Sequence, residues 1–503
     1  MALLGKQFRA EQRTRLGLDA SPMPSDAHLG PVRYDSEAAD ARRLWELVGC
    51  DVLWLTDSQT WARWMGSHWD VKNDAALWLE YCARAIGQWW QLHVNELKAK
   101  LLAAQSKDER DEIEAQIKVA TKRALWTAST RGITSMVRLL SGVDLGMVAR
   151  LADFDCHSHM ANTPTGTIDL RDFSIHPHKR SDRLSKWMIA PVDVPCPTWE
   201  AWCDDVTDGQ GDYLRRCLGY AITGEVGEQC LFLLFGPTAN GKSTLFRVLE
   251  RILRDLQTPV PRSLLLEDER GRTRHPAEIM PLRGARCAHT SELPEDGRLD
   301  EAKMKALTGG DVVMGRGMGQ NWISWLPTHK LLLGTNHLPK IKSDDEAVWR
   351  RIRVIRMPNR YWHPDDPKRP PEGRVRDETI EPRLLEEAGA IAADLAWQAA
   401  RYYREGLPIP QRVAAELDAY RAEQDRIQDW IDECCAVGTY EKDSAKSLYR
   451  SYSNWCQDRG ERAEGLTLFG GRLTGRGFGK LKTSGIIYRT GIRARPSGGW
   501  SDA

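Results

Sequence analysis

Gly236-Pro-Thr-Ala-Asn-Gly-Lys-Ser-Thr244 decides how the rest of the chain is read. Gly236, Gly241, Lys242 and Ser243 satisfy G-x-x-x-x-G-K-[ST], and Pro237, Thr238, Ala239 and Asn240 fill the turn between the glycines. The apolar run Leu231 to Phe235 precedes it, and Thr244 opens a stretch of helical spacing that reaches Leu253. Strand, glycine-rich loop and helix in that order are what a phosphate cradle requires. Glycines let backbone N–H groups turn toward an anion, and a helix N-terminus adds a favourable dipole. Lys242 is expected to reach the β and γ phosphates, and the Ser243 hydroxyl to hold Mg²⁺. The whole stretch from Gly236 to Thr244 is the expected site for a nucleoside triphosphate, ATP with Mg²⁺.

Working outward, the chain has 503 residues, enough for about three domains. Lys plus Arg number 71 against 70 Asp plus Glu, so no whole-chain field draws it to nucleic acid and any such binding must be local. Eleven cysteines without a C-x-x-C pair suggest neither a zinc site nor a disulfide frame; a reducing cytosol, hence a cytoplasmic location, is expected. No apolar run approaches the ~20 residues of a membrane span.

Residues 1–35 lack periodicity and read as a loose leader. Residues 36–210 read as mainly helical: the pattern is helical from Ala38 to about Leu140, with a long helix or helical hairpin where charge alternates from Glu96 to Lys122. Asn162 to Leu170 reads as a turn into a short strand, and Trp199 to Tyr220 as helix. Short β runs alternate with helices over 211–365, as in an α/β domain. Residues 366–430 read as a helical segment and 431–503 as a separate small basic unit.

Three further patterns fall downstream of the loop. Ala285 to Glu292 is a short strand ending in a carboxylate, where open α/β sheets place their ligands. Glu292 there is suited to position Mg²⁺ or polarise an attacking water. Most nucleotide motors have two adjacent acids at this point; here Ser291 precedes Glu292. Lys330 to Asn336 is a further strand with an amide at its tip, placed to meet a γ-phosphate or the lytic water. Arg350 and Arg351 follow an acidic turn at Asp344-Asp345, and such a pair can supply an arginine finger. Between these strands, Lys305 and Arg316 flank a Gly-rich hairpin and could touch a nucleic-acid backbone.

These pieces, in this order, resemble the superfamily 3 helicases, and more closely the phage and plasmid primase-helicases related to the large poxvirus primase-helicase. The residues that carry the resemblance are Phe235 to Thr244, Ser291-Glu-Leu293, Lys305-x-Leu-Thr-Gly-Gly-Asp311 with Arg316, Thr335-Asn-His-Leu-Pro339, and Asp344-Asp345 with Trp349-Arg-Arg351. Upstream, Asn162 to Leu170, Cys196-Pro-x-Trp199 and Leu218-Gly-Tyr-x-x-Thr-Gly224 look like the helical domain that precedes the motor in that family. The resemblance implies an α/β, AAA+-like P-loop motor with a mainly helical N-terminal domain and a small winged-helix-like C-terminal domain. It implies a hexameric ring that hydrolyses ATP between subunits and moves on single-stranded or forked DNA. Lys242, Ser243 and Glu292 would serve ATP and Mg²⁺, Asn336 would be the sensor, and Arg351 or Arg350 would act on the neighbouring subunit's ATP. Lys305 and Arg316 would belong to the DNA-facing motif. No clear pair of metal-binding acids in a strand-rich context precedes the motor, so primer synthesis is expected of another chain, a separate primase or polymerase, or of a part of the protein outside this sequence.

The last segment points to DNA independently. Gly465 to Ser501 contains no Asp or Glu, but holds Arg472, Arg476, Lys480 and Lys482 with Phe469, Phe478 and Tyr488 interleaved. Two expected helices followed by short β runs suggest a winged helix. The leading reading is an ATP-dependent DNA helicase for a phage, plasmid or other mobile element. The alternative is an ATPase that packages DNA or scaffolds an origin without unwinding.

Overall fold

The computed structural model describes residues 6–15, 35–142, 147–267, 276–291, 293–295, 297–318, 321–341, 345–459 and 463–495. Contacts divide the chain into two units, Met1–Val413 and Ala414–Ala503. Helices and several sheets make it a mixed α/β protein. No described helix is long and apolar enough to cross a membrane.

The larger unit is built on a five-stranded sheet that is parallel throughout. From one edge its strands are Ile352–Arg356, Leu231–Phe235, Lys330–Thr335, Cys287–Ser291 and Gln257–Pro259. Central strands such as Leu231–Phe235 are apolar at nearly every position because helices cover both faces of a parallel sheet. Helix Lys242–Leu253 places Leu245, Phe246, Val248, Leu249, Ile252 and Leu253 in the core. That spacing keeps one apolar stripe against the strands and leaves Arg247 and Glu250 exposed. Helices Gly211–Ile222 and Ala388–Glu405 pack together, so closely at Gly219 that a β-carbon there would lie 2.4 Å from Gln398 Cβ.

Ahead of this sheet the helical expectation holds only in part. Helices Glu37–Val48, Ala76–Ala103, Lys107–Ala128 and Thr130–Leu140 are present, and the second and third form the hairpin expected from the alternating charges. Between Val48 and Ala76, however, Val52–Leu55, Thr60–Trp64 and Trp69–Asp70 are strands of a four-stranded sheet completed by Val148–Ala149. The reason lies in side chains that favour a pleated surface: Trp54 faces Trp61 across the strands, with ring centroids 5.2 Å apart. The run from Asn162 is likewise more than a turn and one strand. Met160–Thr163, Gly166–Asp169 and Ser174–His176 form a three-stranded antiparallel sheet.

Part of the expected loose leader is ordered. Residues Lys6–Arg15 form a helix, and Arg13 donates to Asp51 Oδ2 at 3.0 Å and to the Leu47 carbonyl at 2.8 Å. Arg180 binds the other oxygen of the same buried carboxylate at 2.5 Å.

The smaller unit starts earlier than residue 431, because Ile427 and Trp430 of helix Arg426–Cys434 belong to its core. Helices Ala445–Asp458 and Leu466–Gly475 of this unit precede its last strands. They pack on an antiparallel sheet in which Ile486–Ala494 lies between Cys435–Ser444 and Gly479–Thr483. Ser484 and Gly485, at φ 50° and 80°, make the tight left-handed turn between the last two strands. Trp430 stands edge-on to Tyr452 and Phe469, at 5.7 and 5.4 Å.

Candidate functional site

Strand Leu231–Phe235 delivers the chain into the glycine-rich loop at the C-terminal edge of the central sheet. Gly236 has no room for a side chain: a β-carbon there would lie 2.0 Å from the Met357 carbonyl oxygen. Ala239 and Gly241 adopt φ of 59° and 96°, turning the loop before helix Lys242–Leu253 begins. Buried Asn240 pins the turn, because its amide Nδ2 donates to the Met357 carbonyl at 2.9 Å.

Lys242 Nζ donates to the carbonyls of Gly236 and Pro237 at 2.9 and 3.1 Å, to Asn240 Oδ1 at 2.8 Å and to Asn336 Oδ1 at 2.9 Å. All four acceptors are neutral. Burial lowers its pKa to about 8, and among the described residues no neighbouring carboxylate offsets that effect. Asn336 follows strand Lys330–Thr335 and also donates from Nδ2 to Thr238 Oγ1 at 3.3 Å. A partly desolvated ammonium surrounded by neutral oxygens is a cation prepared for an incoming anion. Gly334 makes room for the Phe246 ring beside the lysine stem: a β-carbon there would lie 2.8 Å from Phe246.

These residues line one end of a cavity of about 580 Å³, together with Ser243, Thr244 and Ser291. Glu292 lies outside the described residues, as does Asp344. Ser291, at the end of Cys287–Ser291, is exposed and faces the cavity. The other end is bounded by Ala201, Trp202 and Asp205 of helix Pro197–Val206, and by Tyr361, Val375 and Ile380. No motif announced this second wall, because its two parts are about 160 positions apart in sequence and carry no shared pattern.

Arg350 and Arg351 do not reach the loop of their own chain. The Arg351 carbonyl accepts from Leu231 N at 2.8 Å, at the start of the strands whose far ends carry the loop. Five residues of parallel strand separate the two by about 16 Å. Arg351 is 8% exposed and is engaged internally, donating to the Ala347 carbonyl at 2.7 Å and Gln229 Oε1 at 3.2 Å. Its burial lowers its pKa. Arg350 is exposed, with one long bond to Gln229 Oε1 at 3.4 Å.

Lys305, on helix Glu301–Thr308, is ion-paired with Asp345, whose carboxylate also caps helix Glu346–Trp349 by accepting from Ala347 N. That contact holds the Asp345 pKa below the usual carboxylate value. Arg316 is exposed at the end of strand Val313–Gly315, which pairs with Ile323–Trp325, and its guanidinium lies 5.1 Å from the Trp322 ring centroid. In the smaller unit, Arg472 and Arg476 are paired with Glu464 and Asp425, whereas Lys480 and Lys482 stand exposed on Gly479–Thr483. Phe469 is core, and Tyr488 lies under Lys442 at 4.4 Å.

Residues 41–208 match the family model described as D5 N terminal like. A protein named as a "Putative helicase" from Acanthamoeba polyphaga mimivirus is 28% identical over 253 residues, 48% of this chain and 26% of that relative. A protein named as a "Putative primase" from African swine fever virus is 24% identical over 252 residues, 47% of this chain and 26% of its own length. Another "Putative helicase", from Invertebrate iridescent virus 6, is 26% identical over 45% of this chain and 26% of the relative. The chain thus spans about a quarter of the length of each of these relatives. Among solved structures, the apo C-terminal region of NrS-1 is 14% identical, with 60% of this chain and 77% of that one covered and a TM-score of 0.38. The match at 41–208 and the viral relatives make this chain similar to the D5-like primase-helicases.

Proposed function

We propose that the chain is an ATP-dependent DNA helicase that moves on single-stranded DNA as a ring and serves replication of a virus, phage or other mobile element. The observation that carries this reading is the Lys242 ammonium, half-desolvated, held among the described residues by neutral oxygens and placed in a cavity at the ends of parallel strands. Polyphosphate is the chemistry that such a cation takes. The relatives' names point the same way: helicase or primase, in large DNA viruses.

In this reading the loop forms a P-loop in an AAA+-like motor, and Lys242 holds the β and γ phosphates. Ser243 and Glu292 would hold Mg²⁺, which when bound would offset charge on the transferring phosphoryl group. Asn336, already bonded to Lys242, orients the γ-phosphate or the attacking water. Arg350 is the side chain free to reach a neighbouring copy's nucleotide. It lies at the end of the sheet remote from its own loop, so its service is in trans and requires an oligomer, by family analogy a hexamer. The Arg316–Trp322 pair offers a cation and a stacking face to single-stranded DNA, and Lys305 lies on the helix that precedes it in sequence. The smaller unit, read as a winged helix, presents Lys480 and Lys482 to phosphates.

Unwinding of a forked duplex tests the proposal. The chain is expected to unwind it with ATP and Mg²⁺, and Lys242→Ala to abolish that activity. DNA binding and nucleotide-driven assembly with an intact fork would support a scaffold instead.

A further inference from the structure

The strap that follows strand Ile352–Arg356 closes the second end of the cavity. Its two short strands, Tyr361–Trp362 and Arg374–Val375, pair with each other, and Arg376 N donates to the Trp362 carbonyl at 2.8 Å. One attachment is to the glycine-rich loop, where Tyr361 N donates to the Ala239 carbonyl at 2.8 Å. The others converge on a single residue of helix Pro197–Val206. The Asp205 carboxylate accepts from the Tyr361 hydroxyl on one oxygen and from the Arg374 guanidinium on the other. The Asp205 carbonyl accepts from the Asn359 amide. Burial pushes the Tyr361 phenol up to about 12, so it stays a donor at neutral pH.

The cavity is therefore divided. Lys242, Asn336 and Ser243 make one end polar and cationic; at the other, Ala201, Trp202, Val375 and Ile380 supply an apolar surface beside the charged Arg376, Asp377, Glu378 and Arg383. A nucleoside triphosphate has the same division, a polyanion joined to a flat base. The apolar end exists only while the strap stays beside helix Pro197–Val206, and Asp205 is what keeps it there. The Asp205–Arg374 pair is 44% and 42% exposed, so its own contribution to stability is small. Its effect is geometric: three donors from two turns of the strap meet on one residue.

We propose that Asp205 is a positioning residue for the nucleoside moiety, through which the segment matched as D5 N terminal like completes the nucleotide site of the same chain. This rests on the nucleotide reading above. Asp205 touches no phosphate; it acts through Tyr361 and Val375 on the base and ribose.

The test compares two ligands on the full chain by titration calorimetry: ATP with Mg²⁺, and tripolyphosphate with Mg²⁺, which has the polyanion without a nucleoside. Asp205→Ala is expected to weaken ATP binding roughly tenfold and to leave tripolyphosphate within about twofold. Tyr361→Phe, which removes one bond and keeps the ring, is expected to change ATP affinity in the same direction by less, and serves if Asp205→Ala does not fold. Lys242→Ala is expected to weaken both ligands. Unchanged ATP affinity in the Asp205 and Tyr361 variants, or equal loss of both ligands, overturns the role of Asp205 and leaves the nucleotide reading standing. ATP binding at wild-type strength in Lys242→Ala overturns the nucleotide reading itself.

Discussion

Lys242 Nζ and Asn336 Oδ1 lie 2.9 Å apart, tying the first side chain of the helix after the glycine-rich loop to the residue that follows the neighbouring strand. The bond fixes the ammonium over the loop and aligns the amide with it. Asn336→Ala should leave nucleotide affinity within about threefold, because Lys242 keeps three other acceptors. It should lower kcat about a hundredfold if the amide orients the reacting groups. Steady-state ATPase assays alongside binding titrations separate the two effects.

The two arginines before Ile352–Arg356 should behave differently. Arg351→Ala removes bonds to Ala347 and Gln229 from a buried site, so thermal unfolding should show a loss of about 2 kcal/mol. Arg350→Ala removes an exposed side chain, so melting should be unchanged while ATPase falls by about a thousandfold and nucleotide still binds. Mixing the Arg350 variant with wild type should depress activity more than dilution alone. Full ATPase in an isolated monomer would contradict the trans role.

Gly236→Ala should abolish nucleotide binding even though the change adds one methyl group. The new β-carbon would meet the Met357 carbonyl at 2.0 Å and Asn240 Nδ2 at 2.6 Å, both anchors of the loop. A stability loss of about 1–3 kcal/mol is expected from such overpacking, measurable by urea unfolding.

Proton uptake should accompany nucleotide binding near the Lys242 pKa. The site lowers that pKa to about 8, so at pH 8 about half of the free protein carries a neutral amine. A bound polyphosphate favours the ammonium and raises the pKa again. Calorimetry in buffers of different ionisation enthalpy should show uptake of about half a proton at pH 8 and about a tenth at pH 7, with affinity falling as pH rises further. For folding, the sign is that of a depressed lysine: below about pH 8 the burial penalty is fully present, and it is relieved as pH rises toward 10.5. Lys242→Met should remove both effects.

The basic residues of the smaller unit divide by their partners. Lys480→Glu with Lys482→Glu should weaken DNA binding and reduce the slope of log affinity against log salt by roughly 1.4 to 1.8. Arg472→Ala and Arg476→Ala break ion pairs with Glu464 and Asp425, and should lower the melting temperature of the unit instead.

What could be read in the sequence was whatever lies close together along the chain. Gly236 to Thr244 is legible because adjacent residues make the loop, and the strand and helix beside it carry their own periods. Asn336 was legible as the tip of an apolar run. Asp205 was not, because its partners Tyr361 and Arg374 come from a segment with no local pattern, and only the tertiary fold joins them. Strands Val52–Leu55 and Thr60–Trp64 were hidden among helical signals, since their tryptophans fit a helix face as well as a sheet. Arg350 and Arg351 were legible as a pair, but which one is exposed depends on the partner strand and on Gln229, neither of which the pair itself reveals.

An arginine at the beginning of a strand and a glycine-rich loop at the end of its neighbour give the chain a direction. Copies that meet arginine to loop repeat one contact head to tail. A two-fold dimer would have to form both such junctions side by side within one interface. Repetition in a single sense closes into a ring when the rotation per copy divides the circle, and otherwise runs on as a helical filament. Which of these forms is therefore a matter of angle between copies, with the chemistry at every junction the same.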